Sequence, residues 1–345
     1  MKMAAIAAAI TTTLVSGSAL AAEVYNSDGT SLGVGGRVEF RGDFQGRASG
    51  DELSGTMDNQ SRVRINIDAK TKINDDLSGI GFYEAEQSSN SSGDNKKGTN
   101  GLEFKQRYLY AGLESNDNTI TFGRQDTATV QLSQMSDNAS TYSGAQKEFI
   151  NAGNEQVNNT FGYSGYFMDA LSLKASYVAG DKASSNGYGL SGIYTLPFGL
   201  GIGLGYAANE NDGSQDSTQF IGGLNYRWNS LYVAGTYTQG EGSAKLLTSN
   251  NDYKGYELVA HYKFDSGFQA VAGYQKGEID PEGGEKYNVS DYFELTGKYF
   301  FNNTIHSYIS YKFNNLKKSD EQTKNSAGDY ADAENSLRLG LRYDF

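Results

Sequence analysis

The last nine residues constrain this chain more than any other stretch. Leu337, Leu339, Leu341, Tyr343 and Phe345 take every odd position, and Arg338, Gly340, Arg342 and Asp344 take the even ones. A side-chain period of two describes a β-strand with one apolar and one polar face. The edge strand of a soluble sheet and a strand of a membrane barrel both have this pattern, so the rest of the chain must decide between them.

The opposite end gives the first indication. Lys2 precedes an apolar stretch from Ala4 to Val15, and Ala19-Leu20-Ala21 is a small-x-small site. This is the pattern of a secretory leader. Residues 1–21 are expected to be a signal peptide, with 22–345 as the mature domain. The leader is too short to span a bilayer as a helix, and no later segment is apolar over more than a few residues. Its removal takes away one lysine, leaving the chain one unit more negative than its full-length charge of −12.

An exported chain without cysteine has no disulfide framework to hold a loop-rich fold. The chain has 25 Tyr, 17 Phe and 43 Gly but only 2 Pro, which suits a long meander of strands with aromatic girdles. A propeller would show a blade-length repeat, and none is present. With 41 acidic against 29 basic residues, nucleic acid is excluded as a partner, because it needs clustered Lys and Arg.

Alternating stretches recur along the whole mature chain and count out as sixteen strands, at roughly 31–45, 60–73, 77–88, 101–115, 119–126, 156–167, 170–180, 187–196, 200–209, 218–229, 231–240, 252–265, 267–279, 287–302, 304–316 and 335–345. Tight turns such as Asn74-Asp75-Asp76, Asn116-Asp117-Asn118 and Asn229-Ser230 alternate with longer polar connections. That is the layout of a barrel with short turns on one side and long loops on the other. Trp228, Phe264, Phe268, Phe301 and Phe313 are expected to flank the tight turns as an interfacial girdle. In lipid every backbone N–H and C=O must be paired, so the sheet must close. Sixteen strands then enclose a water-filled lumen. The expected fold is an all-β, sixteen-stranded antiparallel transmembrane barrel.

The longest stretch without alternation runs from Arg124 to Gln156 and forms the third long connection. It either lies over the barrel mouth or folds into the lumen and narrows it. Gly199-Leu-Gly-Ile-Gly-Leu-Gly205 lies in a strand with no helix after it, so it is not a phosphate loop. Its glycine row is expected to be a smooth lumen or packing face. His261 and His306 sit singly on lumen-facing positions without metal spacing. No metal site, cofactor or Ser-His-acid constellation is indicated, so no enzyme is expected.

Several segments resemble general porins of Gram-negative bacteria, nearest to the outer-membrane protein U type of vibrios and their relatives. They are Gly29 to Arg37, Ser61-Arg-Val-Arg-Ile-Asn66, Ile80-Gly-Phe-Tyr-Glu84, Arg107-Tyr-Leu-Tyr-Ala-Gly112, Thr121-Phe-Gly-Arg124, Ser307 to Phe313 and the closing Leu339 to Phe345. They cover the mature chain from end to end. The resemblance implies an infolded third loop, a homotrimer in the outer membrane among lipid and lipopolysaccharide, and passive diffusion of small hydrophilic solutes and ions. It also implies that the barrel assembly machinery reads Tyr343 and Phe345 as an address.

Parity puts Arg37, Glu39 and Arg41 on the lumen face of the first strand, Arg62 and Arg64 on that of the second, and Lys105 and Arg107 on that of the fourth. In the family a basic ladder on this wall faces acids on the third loop. Arg37, Arg64 and Arg107 fall on ladder positions. Asp137 matches one loop acid, Thr141 stands where a second is common, and Gln156 stands where the sixth strand often starts with a base. Opposed rows of charge across a narrow pore orient dipolar solutes and disfavour apolar ones. The alternative is that these are simply solvated lumen charges. Acids of the loops and lumen lead to the expectation of a mild cation preference.

Arg124 shares the outward parity of Ile120 and Phe122. A lone Arg facing lipid at mid-depth costs about 2–4 kcal/mol, so either it lies at a subunit interface or the strand has ended there. Two other functions fit the same barrel. One is a substrate-selective channel with an aromatic slide. The other is a surface adhesin or phage receptor that keeps its long loops without conducting.

Overall fold

A computed structural model describes residues 22–45, 57–88, 104–139, 141–147, 149–182, 184–211, 216–242, 251–283, 285–316 and 335–345. Residues 1–21, expected as a leader, and the long polar connections at 89–103, 243–250 and 317–334 lie outside the described residues. Of eighteen strands, the N-terminal segment Ala22–Ser27 and the two-residue bridge Asp58–Asn59 are accessory, which leaves sixteen.

These are β1 (Thr30–Gln45), β2 (Arg62–Lys72), β3 (Ser78–Ser88), β4 (Lys105–Ser115), β5 (Asn118–Gln125), β6 (Val157–Phe167), β7 (Leu171–Val178) and β8 (Gly187–Thr195). The second half contains β9 (Leu200–Asn209), β10 (Ser217–Trp228), β11 (Leu231–Gly242), β12 (Asn251–Lys263), β13 (Phe268–Pro281), β14 (Tyr287–Phe300), β15 (Ile305–Asn314) and β16 (Ser336–Asp344). Each pairs antiparallel with its sequence neighbours, and β16 returns to β1 with Ser336 opposite Gln45 and Asp344 opposite Arg37. The barrel is therefore closed, and no edge is left unpaired in lipid.

The seam has a composite strand. Beyond β16, Phe345 exchanges backbone hydrogen bonds with Gly36 at 2.9 and 3.0 Å. The N-terminal segment then continues the same line along β1, with Ala22 opposite Val34 and Ser27 opposite Thr30. The tight turns are built by residues that tolerate left-handed backbone. Asn229 (φ 50°) joins β10 to β11 and Gly267 (φ 85°) joins β12 to β13.

Alternation sorts the two faces. In β9, Gly201, Gly203 and Gly205 are buried on the inside, while Ile202, Leu204 and Tyr206 are exposed on the outside. At the tight-turn end the outer face carries exposed Phe198, Trp228, Phe264, Phe268 and Phe301. At the long-loop end a second aromatic row crosses β9 to β15. Tyr206 stands opposite Phe220, Tyr237 opposite Tyr256, and Tyr274 opposite Phe293, which in turn opposes Phe313. Phe313 therefore does not belong to the tight-turn girdle expected from sequence. β15 leaves its tight turn at residue 305, so 313 lies at its far end.

One irregularity matters for the pore. A bulge between Glu84 and Ala85 shifts the β3–β4 register, with Glu84 opposite Tyr108 but Ala85 opposite Gln106. Strict parity would put only one of Arg107 and Tyr108 inside. The bulge lets both reach the lumen.

Candidate pore constriction

The connection from Asp126 to Gln156 folds into the barrel. Its helix, α1 (Val130–Ser136), has no capping side chain and no charge in its first turn; contacts with the wall hold it instead, including Gln131 donating to Ser191 at 2.7 Å. Leu132 (fully buried) and Met135 join Ile193, Ile221, Tyr232, Ala234, Val259 and Val271 from the inner faces of β8 and β10 to β13. The slot for the helix is the glycine row of β9. A Cβ at Gly203 would lie 2.3 Å from one Leu132 methyl, and a Cβ at Gly205 2.7 Å from the other. A second cluster seats the returning chain, where Phe149, Ile150 and Ala152 meet Ala207, Tyr253 and Ile279. There Phe149 stacks on Tyr253 at 4.3 Å. Burying Leu132 and Ile150 is worth about 1.5–3 kcal/mol each.

Polar bonds fix the loop tip to the wall. Tyr232 donates from its hydroxyl to the Met135 carbonyl at 2.7 Å. Glu294 on β14 accepts from Thr141 Oγ1 and from the Tyr142 N–H, both at 3.1 Å. Glu257 on β12 accepts the Gly144 N–H at 3.0 Å. Arg338 on β16 donates to the Thr141 carbonyl at 3.0 Å and holds Asp43 through two bonds of 2.6 Å. The Tyr142 ring lies 4.5 Å from the Arg338 guanidinium, a cation–π contact. Glu257, Glu294, Asp43 and Arg338 were not singled out from sequence. The usable signal was parity, since each is a charge on a lumen-facing position.

The loop's own charges are paired. Asp137 caps the end of α1, meets Lys147 Nζ at 2.6 Å and accepts from Ser143 Oγ at 2.6 Å. Lys147 also meets Glu155 at 3.0 Å. Burial pulls the Lys147 ammonium down, but Asp137 and Glu155 more than offset this and hold it above the usual lysine range. The neck of the loop closes on Asp126, which accepts from Tyr108 Oη at 2.9 Å and from the Gln156 N–H at 3.1 Å. Burial, then the neighbouring Glu155, raises the Asp126 carboxyl. Gln156 has left-handed backbone (φ 57°), and its side chain donates to Glu155 at 3.0 Å.

The arginines line the wall formed by β1, β2 and β4, away from the strands that α1 covers. They interleave with acids. Glu39 meets Arg62 at 2.6 Å and Arg41 at 3.1 Å. Glu86 meets Arg64 at 2.7 Å, Arg62 at 3.6 Å and Arg37 at 3.8 Å. Glu84 meets Arg107 at 2.7 Å and Arg64 at 3.3 Å. The five arginines Arg37, Arg41, Arg62, Arg64 and Arg107 thus share three glutamates. Arg37 is the least compensated, with one long bridge and a buried Nε that has no protein partner.

Arg124 stays on the outward side, opposite Leu109. It donates to the Arg107 carbonyl at 3.1 Å and to Asn158 Oδ1 at 2.9 Å. His261 stacks on Tyr232 at 5.0 Å and His306 lies 5.0 Å from Phe300. No group of three metal-ligating side chains forms among the described residues.

A closed sixteen-stranded barrel, entered by its third loop and faced by an ion-paired arginine wall, is the geometry of a diffusion channel. A family model of Gram-negative porins matches residues 4–319. This chain is a Gram-negative porin. It is 34% identical over 365 residues to outer membrane protein U of Vibrio vulnificus, spanning all of both chains. It is 35% identical over 351 residues to outer membrane protein U of Vibrio cholerae, spanning 96% of this chain and 92% of that one. Two solved structures share the fold. Salmonella typhi OmpF in complex with daunomycin has a TM-score of 0.79 at 20% identity, over 94% of this porin and 100% of that chain. The trimer form of Vibrio cholerae OmpT has a TM-score of 0.69 at 19% identity, over 92% and 100%. The protein is an outer-membrane general porin, a channel and not an enzyme.

Proposed function

We propose that this porin works as a homotrimer of water-filled pores that pass small hydrophilic solutes and ions with a mild preference for cations. The observation behind the selectivity is the pairing of Arg37, Arg41, Arg62, Arg64 and Arg107 with Glu39, Glu84 and Glu86. Such pairing offsets three of the five positive charges and leaves the acids of the rest of the lumen to outweigh the remainder and set the sign. Planar-bilayer recording tests it, with three equal conductance steps and a cation-selective reversal potential expected. Gln156→Arg should lower the cation preference, because it places a cation beside Glu155 and Asp126. Asp137→Asn should do so too, although it also strips Lys147 of a partner. An anion-selective wild type would overturn the selectivity, and absence of conductance would overturn the pore.

The trimer reading is supported by the outer face. The long-loop aromatic row covers β9 to β15, whereas the outer face of β1 to β5 is more aliphatic, with Val38, Ile65, Ile67, Leu109, Leu113 and Ile120 exposed beside Phe40 and Phe122. Membrane interfaces favour Tyr and Trp, and this face carries one such residue, Tyr83 opposite Ile67 and Leu109, so it fits burial against protein. Arg124 and Asn158 lie beside this patch. Arg124→Ala is expected to lower the temperature at which the trimer dissociates in SDS; an unchanged temperature would remove Arg124 from the interface. We further propose that residues 1–21 are cleaved as a leader, that Tyr343 and Phe345 are read by the assembly machinery, and that lipopolysaccharide surrounds the trimer. N-terminal sequencing from Ala22, and loss of outer-membrane yield when Phe345 is deleted, check the first two.

A further inference from the structure

We infer that Tyr308 is a positioning residue of the pore filter, seated across the closing seam in a slot left by Gly340, from which it holds Glu39. The inference rests on the pore reading above. Three residues stand in one line across the seam, with Tyr308 on β15 opposite Gly340 on β16, and Gly340 opposite Arg41 on β1. A Cβ at Gly340 would lie 2.1 Å from Tyr308 Cζ and 2.4 Å from its hydroxyl oxygen, with only Tyr308 atoms among its nearest neighbours. The ring therefore occupies the space that any other residue at 340 would need. It crosses a whole strand to reach β1.

The hydroxyl ends on the arginine wall. It donates to Glu39 Oε1 at 2.6 Å and accepts from Arg41 Nε at 3.3 Å. Arg41 also donates to Glu39 Oε1 at 3.1 Å, and Arg62 to Oε2 at 2.6 Å. Glu39 is only 3% exposed, so its carboxylate depends on these donors. One of them is rooted two strands away, on the far side of the seam. A similar pair lies elsewhere: Tyr253 covers Gly240 and donates to the Thr218 carbonyl at 2.9 Å. That pair ends on backbone and can only bind strands together. The seam pair ends on a charged side chain of the pore, so closing the barrel and setting the filter become one event.

Separate variants test the ring and the hydroxyl. Tyr308→Phe keeps the ring in its slot, so the barrel should keep its wild-type heat-modifiable mobility. Arg41 loses a partner and extends into the lumen, so the cation-to-anion permeability ratio should fall. Gly340→Ala should lower the melting temperature. Tyr308→Ala/Gly340→Ala should recover part of that loss, because the new methyl enters the vacated space. A wild-type reversal potential in Tyr308→Phe would remove the positioning role. A double variant showing the summed loss of both single variants would remove the slot. A wild type that does not conduct counts instead against the pore reading, and the melting comparison still decides the slot.

Discussion

Gly205→Leu is expected to cut single-channel conductance several-fold while leaving the barrel folded. Gly205 faces inward from β9, and its missing side chain is the seat of α1. A Cβ there would lie 2.7 Å from Leu132, 3.0 Å from Ser191 Cβ and 3.1 Å from Thr129 Cγ2. A leucine adds three more carbons in the direction of the helix. Overpacking of this kind costs about 1–3 kcal/mol and is relieved by whichever element moves more easily. The wall is fixed by backbone hydrogen bonds to β8 and β10 along its length, whereas α1 is a two-turn helix held by packing and a few side-chain bonds, Gln131 to Ser191, Ser136 to Thr236 and Tyr232 to Met135. The helix should therefore move, and the only direction open to it is the lumen. Leu132→Ala makes the opposite change. It opens a cavity costing about 2–5 kcal/mol and should loosen the helix, giving noisier current without a smaller mean. Combining the two should restore a quiet pore of larger conductance than Gly205→Leu alone. Unchanged conductance in Gly205→Leu would mean that α1 does not border the narrowest section.

The sixteen strands were legible because the membrane makes the code simple. A strand with lipid outside and water inside must alternate, and closure fixes the pairing of neighbours once the strands are counted. The glycine row at 201–205 was legible as an inner face for the same reason, since Ile202, Leu204 and Tyr206 claimed the outside; that it seats α1 rather than lining open lumen shows only in the fold. Pairing between individual charges was not. It depends on register, which the tight turns and one bulge set to the residue. Glu86 meets Arg64 because they stand directly opposite, and Arg107 reaches Glu84 because the β3–β4 bulge turns it inward.

Thr141 shows the limit most clearly. From sequence it stands for a lost loop acid. In the fold its hydroxyl donates to Glu294, which also takes the next backbone N–H. An acid at 141 would face that carboxylate with like charge, so a hydroxyl donor matches the wall at this position. Asp137 differs in a similar way. It was expected as a charge opposing the arginines, and it is spent within the loop on Lys147.

Glu39→Gln/Glu84→Gln/Glu86→Gln is expected to reverse the ion preference of the pore. The three glutamates between them contact all five wall arginines within 3.8 Å. Their amides keep the shape and part of the hydrogen bonding but lose three negative charges. Screening does not rescue the wall, because the Debye length at 0.1–0.15 M salt is about 8–10 Å, wider than the spacing of these groups. Arg64 is only 6% exposed, and an unpaired buried cation is costly. The arginines should therefore turn toward lumen water, which raises the positive potential where ions pass. Glu84→Gln alone should give an intermediate shift, since Glu84 serves both Arg64 and Arg107, and Glu39→Gln should move in the same direction as Tyr308→Phe. Reversal potentials in a salt gradient read the outcome directly, with heat-modifiable mobility as the control for folding. A folded triple variant that remains cation-selective would show that the sign is set by the third loop and the other lumen acids, and that the arginine wall is a solvated scaffold.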